Sequence, residues 1–143
     1  MSALEIAARV ERFVRDYIVP HERDPRWGAH GPSEAMVVDM RDKARSAGLL
    51  TPHIDEAGHH RSHRDTVAIL RAAGLSPLGP VALNVAAPDE GNMYLLGRVA
   101  TPEQKARFLT PLLAGQARSA FFMTEPADEG GAGSDPSMMQ TMA

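Results

Sequence analysis

Apolar residues recur at helical spacing through most of this chain, and capping residues mark where each run starts. Ser2 and Glu5 form a capping-box pattern, followed by Val10, Phe13, Val14, Tyr17 and Ile18 on one face. The spacing predicts a first helix that stops at Pro20. Residues 20–32 hold three prolines and two glycines around Trp27, the only tryptophan, and read as a loop. Ser33 caps a second helix with Met36, Val37, Met40, Ala44 and Ala47 inward and Gly48 as its stop. Residues 49–63 read as irregular and polar. A third helix runs from about Arg64 to Ala73, with Val67, Ile69, Leu70 and Ala73 on its apolar face, and closes at Gly74.

Residues 81–87 are too short to assign, with one or two helical turns as an option. Asp89 is the expected cap of a segment reaching Ala100, with Met93, Leu96 and Val99 aligned. Thr101-Pro102-Glu103-Gln104 is the clearest start signal, since Thr caps, Pro suits the first turn and Gln104 closes the box. Phe108, Leu109, Leu112 and Leu113 follow as its inward face, Pro111 kinks the end and Gly115 terminates it. From Arg118 the period changes. Ser119, Phe121 and Met123 alternate with Ala120, Phe122 and Thr124, a strand pattern broken at Pro126 and followed by a loop with three glycines. That strand has no evident pairing partner, so the expectation is truncation before a missing sheet rather than a self-contained helical domain.

The bulk numbers change this picture little. The 143 residues are 43% hydrophobic and 23% charged, ordinary for one globular domain. A net charge of −3 gives no basic surplus for nucleic acid. No apolar run reaches membrane-spanning length and the N-terminus lacks signal-peptide character, which makes cytoplasmic the default location. Zero cysteines exclude disulfides and thiolate chemistry.

His59, His60 and His63 offer a zinc-like i, i+4 pair, but without a HExxH glutamate or a cysteine they read as a solvated loop, and no metal is assigned. Asp55/Glu56, Asp89/Glu90 and Asp128/Glu129 are adjacent pairs that point apart, not acid–base dyads. The Gly130–Asp135 stretch can approach an anion closely through its backbone.

Phe122-Met123-Thr124-Glu125-Pro126 followed by Gly131-Ala132-Gly133-Ser134-Asp135 resembles the acyl-CoA dehydrogenase signature of the type FAMTEPGAGSD. Ala87-Pro88-Asp89-Glu90-Gly91-Asn92-Met93, Thr101–Lys105 and Pro111–Gly115 are similar to the segment that precedes it, closest to a subgroup reading APDTGNM. The likeness is strong over 81–137 and rests on helix order alone over 1–80. It implies a mainly α fold. Residues 1–117 would form a helical N-terminal domain, and 118–143 the first strand and Gly-rich loop of a truncated middle β-domain.

The same resemblance implies FAD as cofactor, with Phe121, Phe122, Met123 and Thr124 along the flavin and Gly133 and Ser134 at its phosphate side. Ser134 would also touch the acyl-CoA substrate, whose chain Asn92, Met93 and Leu96 would line. The implied reaction is α,β-dehydrogenation of an acyl-CoA thioester in fatty-acid metabolism. Electron-transfer flavoprotein or a similar acceptor would take the electrons, and a full-length protein would be a homo-oligomer. The family's catalytic Glu lies in a C-terminal domain outside these residues, so no catalytic residue is assigned and this chain alone is expected to be inactive. Two departures stand out: Ala127–Gly130 looks like an insertion before the GAGS element, and residues 53–63 lack the usual glycine-rich EEYGG loop. An acyl-CoA oxidase, or a non-catalytic helical remnant or subunit-interaction module, are the alternative readings.

Overall fold

The computed structural model describes residues 1–55, 58–127 and 130–142. It is mainly helical, as the periodicity predicts. Helix α1 (Ala3–Phe13) opens with the expected capping box, Ser2 and Glu5 satisfying each other's backbone N–H. Helix α2 (Glu34–Ser46) starts on the Ser33 hydroxyl, and Gly48 follows with φ +66°, a left-handed value that glycine adopts without steric cost. Helix α3 (His63–Ala73) is capped by Ser62. A single turn, α4 (Gly79–Ala82), precedes α5 (Asp89–Val99). The last helical region is α6 (Pro102–Gln104), a π turn over Lys105–Leu109 and α7 (Thr110–Leu113).

Helix α1 packs chiefly on α3, and α2 packs on α4. Ile6, Val10, Phe13, Val14 and Ile18 meet Met36, Met40 and Ala44, Ile69 and Ala73, and Leu78, Ala82 and Leu83 in one core. Truncating a side chain as enclosed as Ile18 to Ala removes about 2–5 kcal/mol. Met93, Leu109 and Leu112 form a second, smaller cluster, with Leu96 and Leu113 against it. Arg41 links the two regions: its Nε donates to Val81 O and its Nη1 to Gly115 O, each at 3.1 Å.

Several expectations are corrected. The first helix does not stop at Pro20. A π turn over Val14–Ile18 is followed by a 3₁₀ turn over Val19–Arg23 that carries Pro20 at its start. At Pro111 the expected irregularity takes the same form, a π turn over Lys105–Leu109 before α7, and the helix closes ahead of Gly115 as read. In both places the widened turn contains the residue four before the proline, Asp16 or Arg107, whose carbonyl a proline ring would strike in a regular helix.

The loop assigned to 20–32 contains a small antiparallel pair, β1 (Trp27–Gly28) with β2 (Gly31–Pro32). Residues 49–63 are irregular but not solvated throughout, since Leu49, Thr51, Pro52 and His53 are buried and Ile54 bridges to His60. Tyr17, Val67, Val99 and Phe108 lie on the outward edge of their helices and are exposed. Asp89 is not the cap of α5 but its first residue, with Pro88 before it. The strand expected from Ser119 to Thr124 carries no ladder, because no second strand among the described residues lies beside it. Of the acidic pairs, Glu56, Asp128 and Glu129 lie outside the described residues, as does the middle of the 127–130 segment. No helix among the described residues is long and apolar enough to cross a membrane.

Candidate functional site

Helix α5 supplies one wall of the site. Met93 is fully enclosed in the small apolar cluster, and Leu96, one turn further, is half-buried against it. Asn92 sits on the neighbouring face and donates its amide to Ser119 Oγ at 2.8 Å. Asp89, buried at the start of the same helix, accepts both the backbone N–H and the hydroxyl of Ser119 at 2.6 Å. Together Asp89 and Asn92 moor the chain as it leaves the helices, so the segment after Ser119 starts from a fixed point beside α5.

Beyond that mooring the chain presents Phe121, Phe122 and Met123, which are 60%, 91% and 62% exposed. Thr124 is exposed as well. Three consecutive large apolar side chains on the surface are costly in water, at roughly 25 cal/mol per Å² of apolar area, and their burial against a partner surface recovers that free energy.

The glycine-rich segment folds back on this stretch. Gly130 and Gly133 hold φ +81° and +58°. Glu125 N–H donates to Gly133 O, and Gly131 N–H donates to Pro126 O. The Glu125 carboxylate accepts the backbone N–H groups of Ala132, Gln140 and Thr141 at 2.6–3.1 Å, together with the Thr141 hydroxyl. These donors, the Thr141 hydroxyl first, hold the Glu125 carboxyl down at about 2. A Cβ on Gly131 would lie 2.7 Å from Glu125 Cβ and 2.8 Å from Pro126 O, so the close approach requires glycine. Ser134 is exposed at the loop's far side. The Glu125 carboxylate therefore ties Ala132 of the loop and Gln140 and Thr141 beyond it to the end of the 121–124 segment.

The sequence-predicted residues fall in two groups. Met93 and Leu96 share one apolar cluster, and Phe121–Thr124 adjoin the Gly133–Ser134 loop. Asn92 connects the groups through Ser119. Asp89, Ser119 and Glu125 were missed as site-forming residues, because adjacent acidic residues and a lone serine carry no periodic signal. His59 stands apart, exposed and 3.8 Å from Asp55, while His60 turns inward toward His53 and Glu90.

Comparison with known proteins identifies the family. Residues 2–116 match the family model for the acyl-CoA dehydrogenase N-terminal domain. FadE2 of Mycobacterium tuberculosis, described as a probable acyl-CoA dehydrogenase, is 34% identical over 133 residues, covering 87% of this chain and 32% of its own length. Acyl-CoA dehydrogenase family member 10 of Mus musculus is 37% identical over 108 residues, covering 71% of this chain and 10% of its own. A solved structure from Mycobacterium abscessus that bears a provisional acyl-CoA dehydrogenase name superposes with a TM-score of 0.69 at 34% identity, over 87% of this chain and 34% of that one. The chain thus spans about a third of the length of FadE2 and of the solved relative, and less of the mouse protein. By this match over most of its residues, the chain belongs to the acyl-CoA dehydrogenase family and carries its N-terminal domain.

Proposed function

We propose that this chain forms the acyl-side wall and the first flavin-contacting segment of an FAD-dependent acyl-CoA dehydrogenase. The division falls near residue 117, with the helical domain before it and the flavin-contacting segment after it. The observation that carries this reading is the exposed Phe121-Phe122-Met123 run, moored at Ser119 beside α5 and followed by a loop with left-handed Gly130 and Gly133.

Those features fit FAD. A flat aromatic ring is the partner that exposed phenylalanine and methionine side chains can cover, and glycine backbone at left-handed Gly130 and Gly133 lets a pyrophosphate approach closely. Phe121, Phe122, Met123 and Thr124 would hold the ring, and Gly133 and Ser134 the phosphate side. When bound, FAD would supply the hydride acceptor for α,β-dehydrogenation of an acyl thioester.

The chain's own residues bind and orient. Leu96, half-buried and backed by the enclosed Met93, would line the acyl chain on an apolar wall, and Asn92 would fix the distance between that wall and the 121–124 segment through Ser119. Ser134 would contact the acyl-CoA beside the phosphate side. None of these residues is assigned as the base. Within the same reading a separate electron-transfer protein takes the electrons, and the protein works as a homo-oligomer.

Anaerobic addition of saturated acyl-CoA thioesters to the purified, FAD-loaded gene product tests this. The flavin absorbance is expected to bleach while the 2,3-enoyl thioester forms in equal amount. A gene product that keeps FAD yet makes no enoyl product across short, medium, long and branched chains would contradict it.

A further inference from the structure

We propose that His53, His60 and Glu90 form a binding site for a single divalent transition-metal ion of the zinc type. The three residues come from two places in the chain. His53 precedes and His60 takes part in the Ile54–His60 bridge, beside the Arg61 N–H to His53 O bond of 2.9 Å, and Glu90 stands in the first turn of α5. One ligand atom from each lies within 4.8 Å of those of the other two.

Two observations point to a cation among them. His53 is fully buried, and neither of its ring nitrogens has a hydrogen-bond partner. A buried imidazole without partners is rare in folded proteins, and a metal bond supplies the missing interaction. His60 adds the second. Its Nδ1 lies 2.7 Å from Arg61 O, which can only accept, so Nδ1 carries the hydrogen. In the neutral ring Nε2 then presents a lone pair, and it faces Glu90 Oε1 at 2.8 Å. Two acceptors at that distance repel unless a positive charge lies between them or beside them. A backbone carbonyl on the far nitrogen is also the contact that orients a metal-bound histidine.

The donor set selects the ion. Two imidazole nitrogens and one carboxylate oxygen suit zinc, cobalt or nickel, whereas magnesium and calcium prefer oxygen throughout. Tetrahedral zinc sets its ligand atoms about 3.3 Å apart, so the wider pairs must close by about 1.5 Å at most. The Glu90 side chain, 26% exposed, has room to make that shift. Three protein ligands leave a fourth position open. His60 and its ring neighbour Tyr94, 5.0 Å away, line a cleft of about 370 Å³ that Met93 also borders, so the open position belongs beside the acyl-side wall.

Titration of the metal-stripped full chain with Co²⁺, without FAD, tests this independently of the flavin reading. One equivalent is expected to produce the visible bands of tetrahedral cobalt, and Zn²⁺ is expected to abolish them. Glu90→Gln and His60→Gln should each weaken binding at least about tenfold with circular dichroism unchanged, while His59→Gln binds like the parent. Since His53 is a core residue, its substitution is not needed. Absence of a saturable one-to-one band overturns the proposal and leaves a proton between His60 and Glu90. Equal binding by the Glu90→Gln and His60→Gln proteins, or loss of binding in His59→Gln, also overturns it and marks an adventitious surface site.

Discussion

Asn84 donates its side-chain amide to Thr51 Oγ1 at 3.0 Å, and both residues hold left-handed backbone, at φ +57° and +55°. Among the described residues they are the two non-glycine positions of this kind. Thr51 Oγ1 also donates to Leu113 O at 2.7 Å, its N–H donates to Leu83 O, and Asn84 Nδ2 reaches Leu112 O at 2.9 Å. One buried knot thereby joins the segment after α2, the turn after α4 and the end of α7. Asparagine tolerates the left-handed region, but a β-branched threonine is strained there, so the surrounding bonds must hold it.

Replacing Asn84 separates these effects. Asn84→Ala loses two hydrogen bonds in a buried place and puts a Cβ-bearing residue without polar compensation at positive φ, for a cost of about 2–4 kcal/mol. Asn84→Gly loses the same bonds but not the conformational ease, so it should cost about 1 kcal/mol less. Urea denaturation of the two variants measures the difference. Equal stabilities would show that backbone conformation contributes nothing at this position.

Two glycines should respond to alanine with opposite signs. A Cβ on Gly79 would lie 1.9 Å from Ala73 O, a backbone atom that cannot swing aside. Gly79→Ala is expected to force α4 away from the end of α3 and to cost about 3 kcal/mol, the upper part of the overpacking range. Gly97 sits in α5 with nothing within 4 Å of its would-be Cβ, and Gly97→Ala should stabilise by about 0.5–1 kcal/mol through helix propensity. Thermal unfolding of both variants reads the two signs, and a tolerant Gly79→Ala would refute the close approach.

How far the sequence revealed this follows from the range of each signal. Ser2–Glu5 and Thr101–Gln104 capping boxes, the Ser33 cap and the Gly48 stop all formed as read, because each depends on neighbours within four residues. Pro20 misled for the same reason, whereas Pro111 was read as a kink within its helix and is one. A proline locally argues for a stop, but packing of Val14 and Ile18 in one core and of Leu109 in the small cluster favoured keeping the chain helical through a π turn. The 49–63 segment looked solvated because polarity was read without knowing what covers it; Thr51 is tied to Asn84 and Leu113, more than 30 positions away, and His53 is buried. Family membership was legible in the 87–93 and 122–135 motifs. The mooring of Ser119 on Asp89 was not, since a contact across 30 residues leaves no mark in either local pattern.

Acid should loosen the glycine-rich loop late. The Glu125 carboxyl is held at about 2 from an ordinary 4.5, so its native pKa is depressed. The stabilisation it gives the 130–141 segment is complete above the ordinary value and disappears as pH falls through about 2. Amide resonances of Ala132, Gln140 and Thr141 are expected to keep their folded positions at pH 4 and to move only on further acidification. A Glu125 that titrates at its ordinary value, with those amides shifting in step, would show that the donors do not converge on it.

The central claim is that Phe121 and Phe122 are the surface on which the flavin ring rests. The phenylalanines of this chain are Phe13, Phe108, Phe121 and Phe122, and single substitutions assign their signals in the fluorine-labelled gene product. Adding FAD to the labelled gene product should shift the Phe121 and Phe122 resonances through the ring current and leave buried Phe13 and the helix-borne Phe108 in place. Saturating FAD that leaves Phe121 and Phe122 unmoved, or that moves Phe108 instead, would contradict the account.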